Sequence, residues 1–339
     1  MQSKSLLPFI IIIAVITTPL FATIWRVDNK AGAAGDFTTL QAAESSTEVQ
    51  DGDTLYVYGS SISYYEIILD RPLVIIGPGY FLDQNPETQA YPALAIASTI
   101  TFNPGSEHSV ITGLSTARID VNANNITIKR MRISSGSHLG SIYVSNTYSA
   151  TTIQQCYITN SYGNSESRGI WLAGNNTSII IDNNYMDVNY NTGKSIDSDA
   201  SSAPAHISHN VLSGNVVVSN TTFENNILRD GTASFSNTTV LNNICNETQF
   251  DTTGSNQQNV DMNTVFMGSG SYDGRWQLAA GSPALGAGTE GTDCGMFGGS
   301  APYVLSGIPT IPHIYYLTVP SAAEPGALLQ VRVKAKTSN

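Results

Sequence analysis

Charged side chains are scarce in this sequence: they make up 12% of the 339 residues, and 26 acidic residues outnumber 15 basic ones. So little positive charge offers no footprint for nucleic acid or an anionic membrane surface, both of which are held by clustered Lys and Arg. Cysteine is scarcer still. Cys156, Cys245 and Cys294 are too few for a disulfide framework. His206 and His209 share one segment with no third ligand in view, so no metal site is expected from them. Long apolar runs are absent beyond the first residues, which excludes a membrane span once those residues are removed. Residues 1–22 read as a secretory signal: Lys4, the apolar run Leu6–Ile16, then small residues up to Ala22. The run is too short for a comfortable span, and no Cys follows it closely enough for a lipid anchor. The expected location is secreted, cell-surface or periplasmic.

What the sequence does contain is repetition. Four segments share one pattern: IIIDNNYM (Ile179–Met186), AHISHNVL (Ala205–Leu212), TTFENNIL (Thr221–Leu228) and TTVLNNIC (Thr238–Cys245). The last two intervals are 16 and 17 residues, and weaker copies lie at Ile126–Ile133 and Thr151–Ile158. Between copies sits a second strand-like run: SIYVSN (Ser141–Asn146), GIWLAG (Gly169–Gly174), SIDSDA (Ser195–Ala200), NVVVSN (Asn215–Asn220) and TASFSN (Thr232–Asn237). Apolar residues alternate in both runs, which is strand spacing. Sixteen or 17 residues leave no room for a crossover helix. The fold expected is therefore all-β, a right-handed parallel β-helix in which each coil buries its apolar face against its neighbours.

Position six of the four copies is always Asn: Asn184, Asn210, Asn226 and Asn243. Asn tolerates the left-handed backbone a tight bend needs. Stacked about 4.8 Å apart, such amides also hydrogen-bond from rung to rung. The column reads as a structural ladder, and the glycosylation-like motifs at Asn125, Asn176, Asn220 and Asn237 as by-products of Asn- and Thr-rich turns.

Four parts follow in chain order: the signal (1–22), an N-terminal cap (23–50), the solenoid (51–299) and a C-terminal strand tail (300–339). In the cap, Thr38 and Gln41 have capping-box spacing for a short helix bearing Leu40 and Ala43. In the tail, HIYYLTV (His313–Val319) and the alternating LLQVRVKAK (Leu328–Lys336) flank a turn at Ser321–Gly326, a hairpin-like arrangement. It would serve as a cap of the solenoid or as a docking element for a neighbouring protein.

GDFTTLQAA (Gly35–Ala43) followed by DGDTLYV (Asp51–Val57) resembles the opening of right-handed β-helix proteins of the pectin-lyase-like superfamily. WQLAAGSPALGAG (Trp276–Gly288) and DCGMFGG (Asp293–Gly299) resemble the closing coil of many secreted bacterial members, which usually carry Asp where Gly286 stands. The resemblance covers about Ile24–Gly299. It implies the fold and leaves the function open, because this scaffold hosts lyases, hydrolases, adhesins and inert surface proteins.

On the second strand of each coil the outward column reads Tyr143, Trp171, Asp197, Val217, Ser234. Tyr above Trp with an acid beside them is what a sugar-binding face requires. Asp197 and Asp199 point the same way, about 6.6 Å apart at Cα, near the separation an inverting glycosidase uses. Asp182 lies a rung earlier and Arg168 enters the rung, so Asp182, Asp197, Asp199 and Arg168 are the catalytic candidates. The resemblance implies that a lyase would pair a basic residue with acidic Ca²⁺ ligands. No cofactor is otherwise implied, and Ca²⁺ would need six to eight oxygens. Galacturonase-type motifs are missing. The function expected is non-catalytic binding of a polysaccharide or protein partner, with a polysaccharide lyase or glycoside hydrolase acting on acidic polysaccharide as the alternative. A structural subunit docking through its tail is the third reading.

Cys156 and Cys245 fall in different columns several rungs apart, too far to bond. Unfolded without reductant, the protein should titrate three thiols; a single thiol would overturn the rung alignment.

Overall fold

A computed structural model of the chain describes residues 22–138, 140–188, 192–321, 326 and 328–337. Apart from Ala22, the signal read over 1–22 lies outside the described residues.

Each regular coil contributes three short parallel strands, one more than the repeat pattern suggested. The first face is a ten-stranded sheet running from Ile24–Val27 to Thr239–Leu241. The other strands of the solenoid form a fourteen-stranded sheet folded into two faces. Face two runs through Arg132–Ser135, Tyr157–Asn160, Tyr185–Val188, Val211–Ser213, Ile227–Asp230 and Ile244–Cys245. Face three runs through Ile142–Val144, Arg168–Leu172, Lys194–Ser198, Asn215–Ser219 and Ala233–Ser236. The long strand Ser115–Val121 bridges them, pairing Ser115 and Thr116 with face two and Ile119–Val121 with face three. The architecture is a parallel β-helix. Its core is one continuous column, in which Ile128, Ile153, Ile181, Ile207 and Phe223 follow each other from rung to rung with no exposure.

The extra strand was hidden because its corner is only two residues long. In TTVLNNIC, Thr239–Leu241 lies in face one and Ile244–Cys245 in face two, so Asn242 and Asn243 alone make the turn. These two positions divide the work that the sequence pattern assigned to one. The left-handed residue is the first of the pair: Asn183 (φ 55°), His209 (51°), Asn225 (58°) and Asn242 (52°). The ladder residue is the second, and its backbone is not left-handed. Asn226 Oδ1 accepts from the backbone N–H (2.9 Å) and Nδ2 (3.0 Å) of Asn210, and Asn243 Oδ1 accepts likewise from Asn226. The ladder runs one rung beyond the repeats, to Asn256, whose Oδ1 accepts from Asn243. At its other end Cys156 takes the column, donating its backbone N–H to Asn184 Oδ1 (2.9 Å).

Both sides of face two are buried. Inside lie Ile158, Met186, Leu212 and Leu228; outside, Tyr185, Val211, Ile227 and Ile244 are at most 1% exposed. What covers the outside is the segment that resembled a closing coil. It adds no rung to either long sheet but runs lengthwise back along the solenoid, held by side chains of the left-handed corner column. Asn242 Nδ2 donates to Ala287 O, and Thr289 N–H donates to Asn225 Oδ1. Further back, Asn183 Nδ2 reaches Met296 O and Gly298 O, Gln155 Nε2 reaches Ala301 O and Pro302 O, and Arg130 Nη1 reaches Ile308 O. Gly286 takes a left-handed conformation (φ 65°) and donates its N–H to Asp293 Oδ1.

At the entrance, the helix Leu40–Glu44 puts Leu40 and Ala43 against the core. Its N-cap is Thr39, one residue later than expected, accepting from Ala42 N–H (3.1 Å). Gln41 closes no capping box; it grips the first coil through Ile68 N–H (2.8 Å) and Ile68 O (3.3 Å). The far end is closed by Phe250, which packs against Phe223 and Phe235. The tail hairpin, His313–Thr318 with Arg332–Lys336, sits elsewhere, beside the 80–92 loop, through Ala90 N–H to Ile314 O and Lys336 to Glu87. All three cysteines are free and buried, and burial pushes the Cys156 and Cys294 thiols up to about 12.

Asn226→Leu removes the acceptor of two Asn210 donors in a dry interior, where each orphaned group costs about 1–3 kcal/mol. A fall in stability of at least about 2 kcal/mol is expected in equilibrium denaturation. An unchanged midpoint would mean that the ladder contributes nothing.

Candidate functional site

The lengthwise segment does not cover face three, and the predicted outward column lies on it in the predicted register. Asp120, Tyr143, Trp171 and Asp197 are successive cross-strand partners, followed by Val217 and Ser234. Their neighbours in each strand, such as Ile142, Val144, Ile170 and Leu172, point into the core without exposure. That alternation is what turns Tyr143 and Trp171 outward.

The two rings lie 5.0 Å apart at an interplanar angle of 60°, so they form an angled notch and not a flat shelf. Each end of the notch is closed by a guanidinium. Arg168 lies 4.3 Å from the Trp171 ring centre, and Arg118 lies 5.6 Å from that of Tyr143. Each guanidinium is held by an acid: Arg118 by Asp120 at 2.5 Å, and Arg168 by Asp197 at 2.6 Å and Glu166 at 3.0 Å. Lys194 also reaches Asp197 Oδ2, at 2.8 Å. Burial works against the Arg168 charge, but the carboxylates of Asp197 and Glu166 outweigh it and raise its pKa. The Tyr143 hydroxyl and the Trp171 indole N–H make no hydrogen bond among the described residues and are not buried. Asp197 Oδ1 likewise accepts from no described residue.

Of the four catalytic candidates, two are brought together and two are not. Arg168 and Asp197 pair with each other. Asp199 falls just past the end of its strand and is exposed. Asp182 belongs to face one, where its carboxylate accepts from Ser208 (2.6 Å) and Gln154 (3.1 Å) and lies 3.6 Å from His209 Nδ1. Asp182 is thus parted from Asp197 and Asp199, because the face-two strand Tyr185–Val188 and the corners on either side of it lie between them. Arg118, Asp120, Glu166 and Lys194 were missed. Arg118 and Asp120 could have been found from the alternation in ARIDVN (Ala117–Asn122), which continues the column one rung upstream.

His206 and His209 turn to different partners, Glu224 and Asp182. Among the described residues no three His, Cys, Asp or Glu side chains cluster as they would around a metal ion. Nor is any described helix long and apolar enough to cross a membrane. In comparisons with known proteins, no family model matches the chain and no curated protein does. The class defined by fold and surface is a parallel β-helix with an open aromatic notch on one face.

Desolvation opposes the Asp182 charge, and donation from His209, Ser208 and Gln154 overcomes it, lowering the carboxyl pKa below its ordinary 3.8. A depressed folded-state pKa adds stability that is present above the unfolded value and lost as pH falls through the folded one. Wild type should therefore exceed Asp182→Asn in urea midpoint at neutral pH, with the gap closing below about pH 4. Equal gaps in neutral and acid buffers would contradict this.

Proposed function

We propose that this is an exported, non-catalytic β-helix protein of the pectin-lyase-like type that binds a glycan at the cell surface or in the periplasm. The observation that carries the reading is the Tyr143–Trp171 notch. Two outward aromatic rings, with a free hydroxyl and a free indole N–H, lie between charged pairs whose acid on one side retains a free carboxylate oxygen. Aromatic faces suit the C–H surfaces of sugars, and the polar tips and Asp197 Oδ1 suit their hydroxyls. The ion pairs hold the flanking side chains in place before a ligand arrives, which lowers the ordering cost of binding.

The arrangement supports binding over turnover. A hydrolase needs two carboxyl groups facing each other across the scissile bond. Here Asp197 already accepts two cations on one oxygen, and the second acid of its strand is solvated at the edge. Docking of a protein partner through the tail is the second reading. It is favoured by the hairpin's exposed apolar side chains, among them Leu317 at 51% and Val333 at 53%.

A glycan-array screen of the mature protein, with turnover assayed in parallel, tests the proposal. Trp171→Ala should leave the circular dichroism spectrum intact and weaken binding by about 1–3 kcal/mol, the scale of one aromatic anchor. Asp197→Asn should cost less, since an amide still accepts a hydroxyl proton. A rate loss of about 10²–10⁴-fold in Asp197→Asn with binding retained would instead identify an enzyme. Full affinity in both Trp171→Ala and Tyr143→Ala would reject the notch.

A further inference from the structure

A second site lies on the other side of the molecule, where the lengthwise segment, the 80–92 loop and the tail meet the corner between faces one and two. They form an open cavity of about 800 Å³ lined by Asn85, Thr88, Lys129, Arg130, Tyr303 and Lys336, among others. Arg130 is 3% exposed. Its Nε donates to Gln155 Oε1 (2.8 Å) and its Nη1 to Ile308 O (2.7 Å), both uncharged acceptors. The ammonium of Lys129, half-buried beside it, makes no hydrogen bond among the described residues. Neither cation has a carboxylate within ion-pair distance among the described residues.

That is an expensive arrangement to leave uncompensated, because a buried charge is tolerated only when it is paired. The acids nearby are otherwise engaged. Glu87 lines the cavity but pairs with Lys336 at its mouth (3.0 Å). Asp273 is fully buried and accepts from Asn85, Ser271, Tyr303 and the Ser306 N–H. Burial and the neighbouring Arg130 both pull the Lys129 pKa down, and Asp182, two rungs along the same column and engaged by Ser208 and Gln154, offsets only part of this; burial also pulls down that of Arg130.

We propose that this cavity binds a small ligand through an oxyanion group, carboxylate, phosphate or sulfate, with Arg130 and Lys129 as its counter-charges. Arg130 is oriented by Gln155 and Ile308, so its remaining N–H groups form a fixed fork suited to an oxyanion, while Lys129 supplies a mobile point charge. The volume is in the range of small-molecule sites. The site shares no residue with the aromatic notch and does not depend on that reading.

The full mature chain is titrated by calorimetry with inorganic phosphate, sulfate and glucuronate at constant ionic strength, with glucose as the uncharged control. Saturable binding of at least one anion and none of glucose is expected. Tighter binding of glucuronate identifies a carboxylated ligand, and tighter binding of phosphate or sulfate a tetrahedral one. Lys129→Gln should weaken the preferred anion by at least about tenfold, the scale of losing a charged hydrogen-bond donor. It should not lower the melting temperature in anion-free buffer, since it removes an uncompensated charge. Trp171→Ala should bind the anion as wild type does, which separates this site from the notch. Arg130→Lys keeps the charge if Arg130→Gln fails to fold. Absence of saturable binding of all three anions at millimolar concentration, or wild-type affinity in Lys129→Gln, overturns the proposal.

Discussion

The corner between faces one and two is the constraint on which the rest of this structure depends. Two residues turn the chain there, and the geometry assigns them different work. The first takes a left-handed backbone, which sends its side chain to the outside. The second keeps its side chain inside, where an amide can both donate to the backbone of its own coil and accept from the rung before. An Asn at the inner position leaves no buried donor of the bend unpaired, and the neighbouring coils are drawn into register as a result. A parallel β-helix has little else to set register along its axis, because its core residues are similar from rung to rung.

The outer residue of the corner has a second consequence. Asn183, Asn225, Asn242, Gln155 and Arg130 project along one edge of the solenoid as a row of polar groups. An irregular segment with unpaired backbone carbonyls can lie along such a row without secondary structure of its own. That segment buries the outer side of face two and carries the chain from the far end of the solenoid back toward its beginning. The tail hairpin therefore ends near the 80–92 loop, and the cavity around Arg130 and Lys129 arises where these pieces converge. Face three receives no such cover. Its Tyr143 and Trp171 are partly exposed there, with the Arg168–Asp197 pair largely buried beside them.

The two sites differ in how their charges are handled. In the notch, every guanidinium has a carboxylate within ion-pair distance, so the surface is internally neutralised and its exposed features are aromatic and hydroxyl-binding. In the cavity, two cations stand without carboxylate partners among the described residues, in a chain whose acids outnumber its bases. Unpaired positive charge in an acidic protein is a local arrangement that net charge conceals.

Much of the fold was legible because a solenoid writes its period into the sequence. The interval between copies excluded helices, the alternation in SIYVSN and GIWLAG set which residues face out, and the Asn column marked the ladder. The register of Tyr143, Trp171 and Asp197 followed from these local rules, since cross-strand partners in a stacked coil are simply equivalent positions. A third strand per coil was hidden, because a two-residue corner does not interrupt the apolar pattern. Yet doubled apolar pairs such as Val211–Leu212 and Ile227–Leu228 carry the mark of a strand buried on both sides. Only the tertiary structure decided what covers that outer side and that Arg130 is buried without a carboxylate at ion-pair distance among the described residues. Those facts depend on where a non-repeating segment lies against a repeating one. No periodicity encodes that, because such contacts join residues from 45 to 178 positions apart.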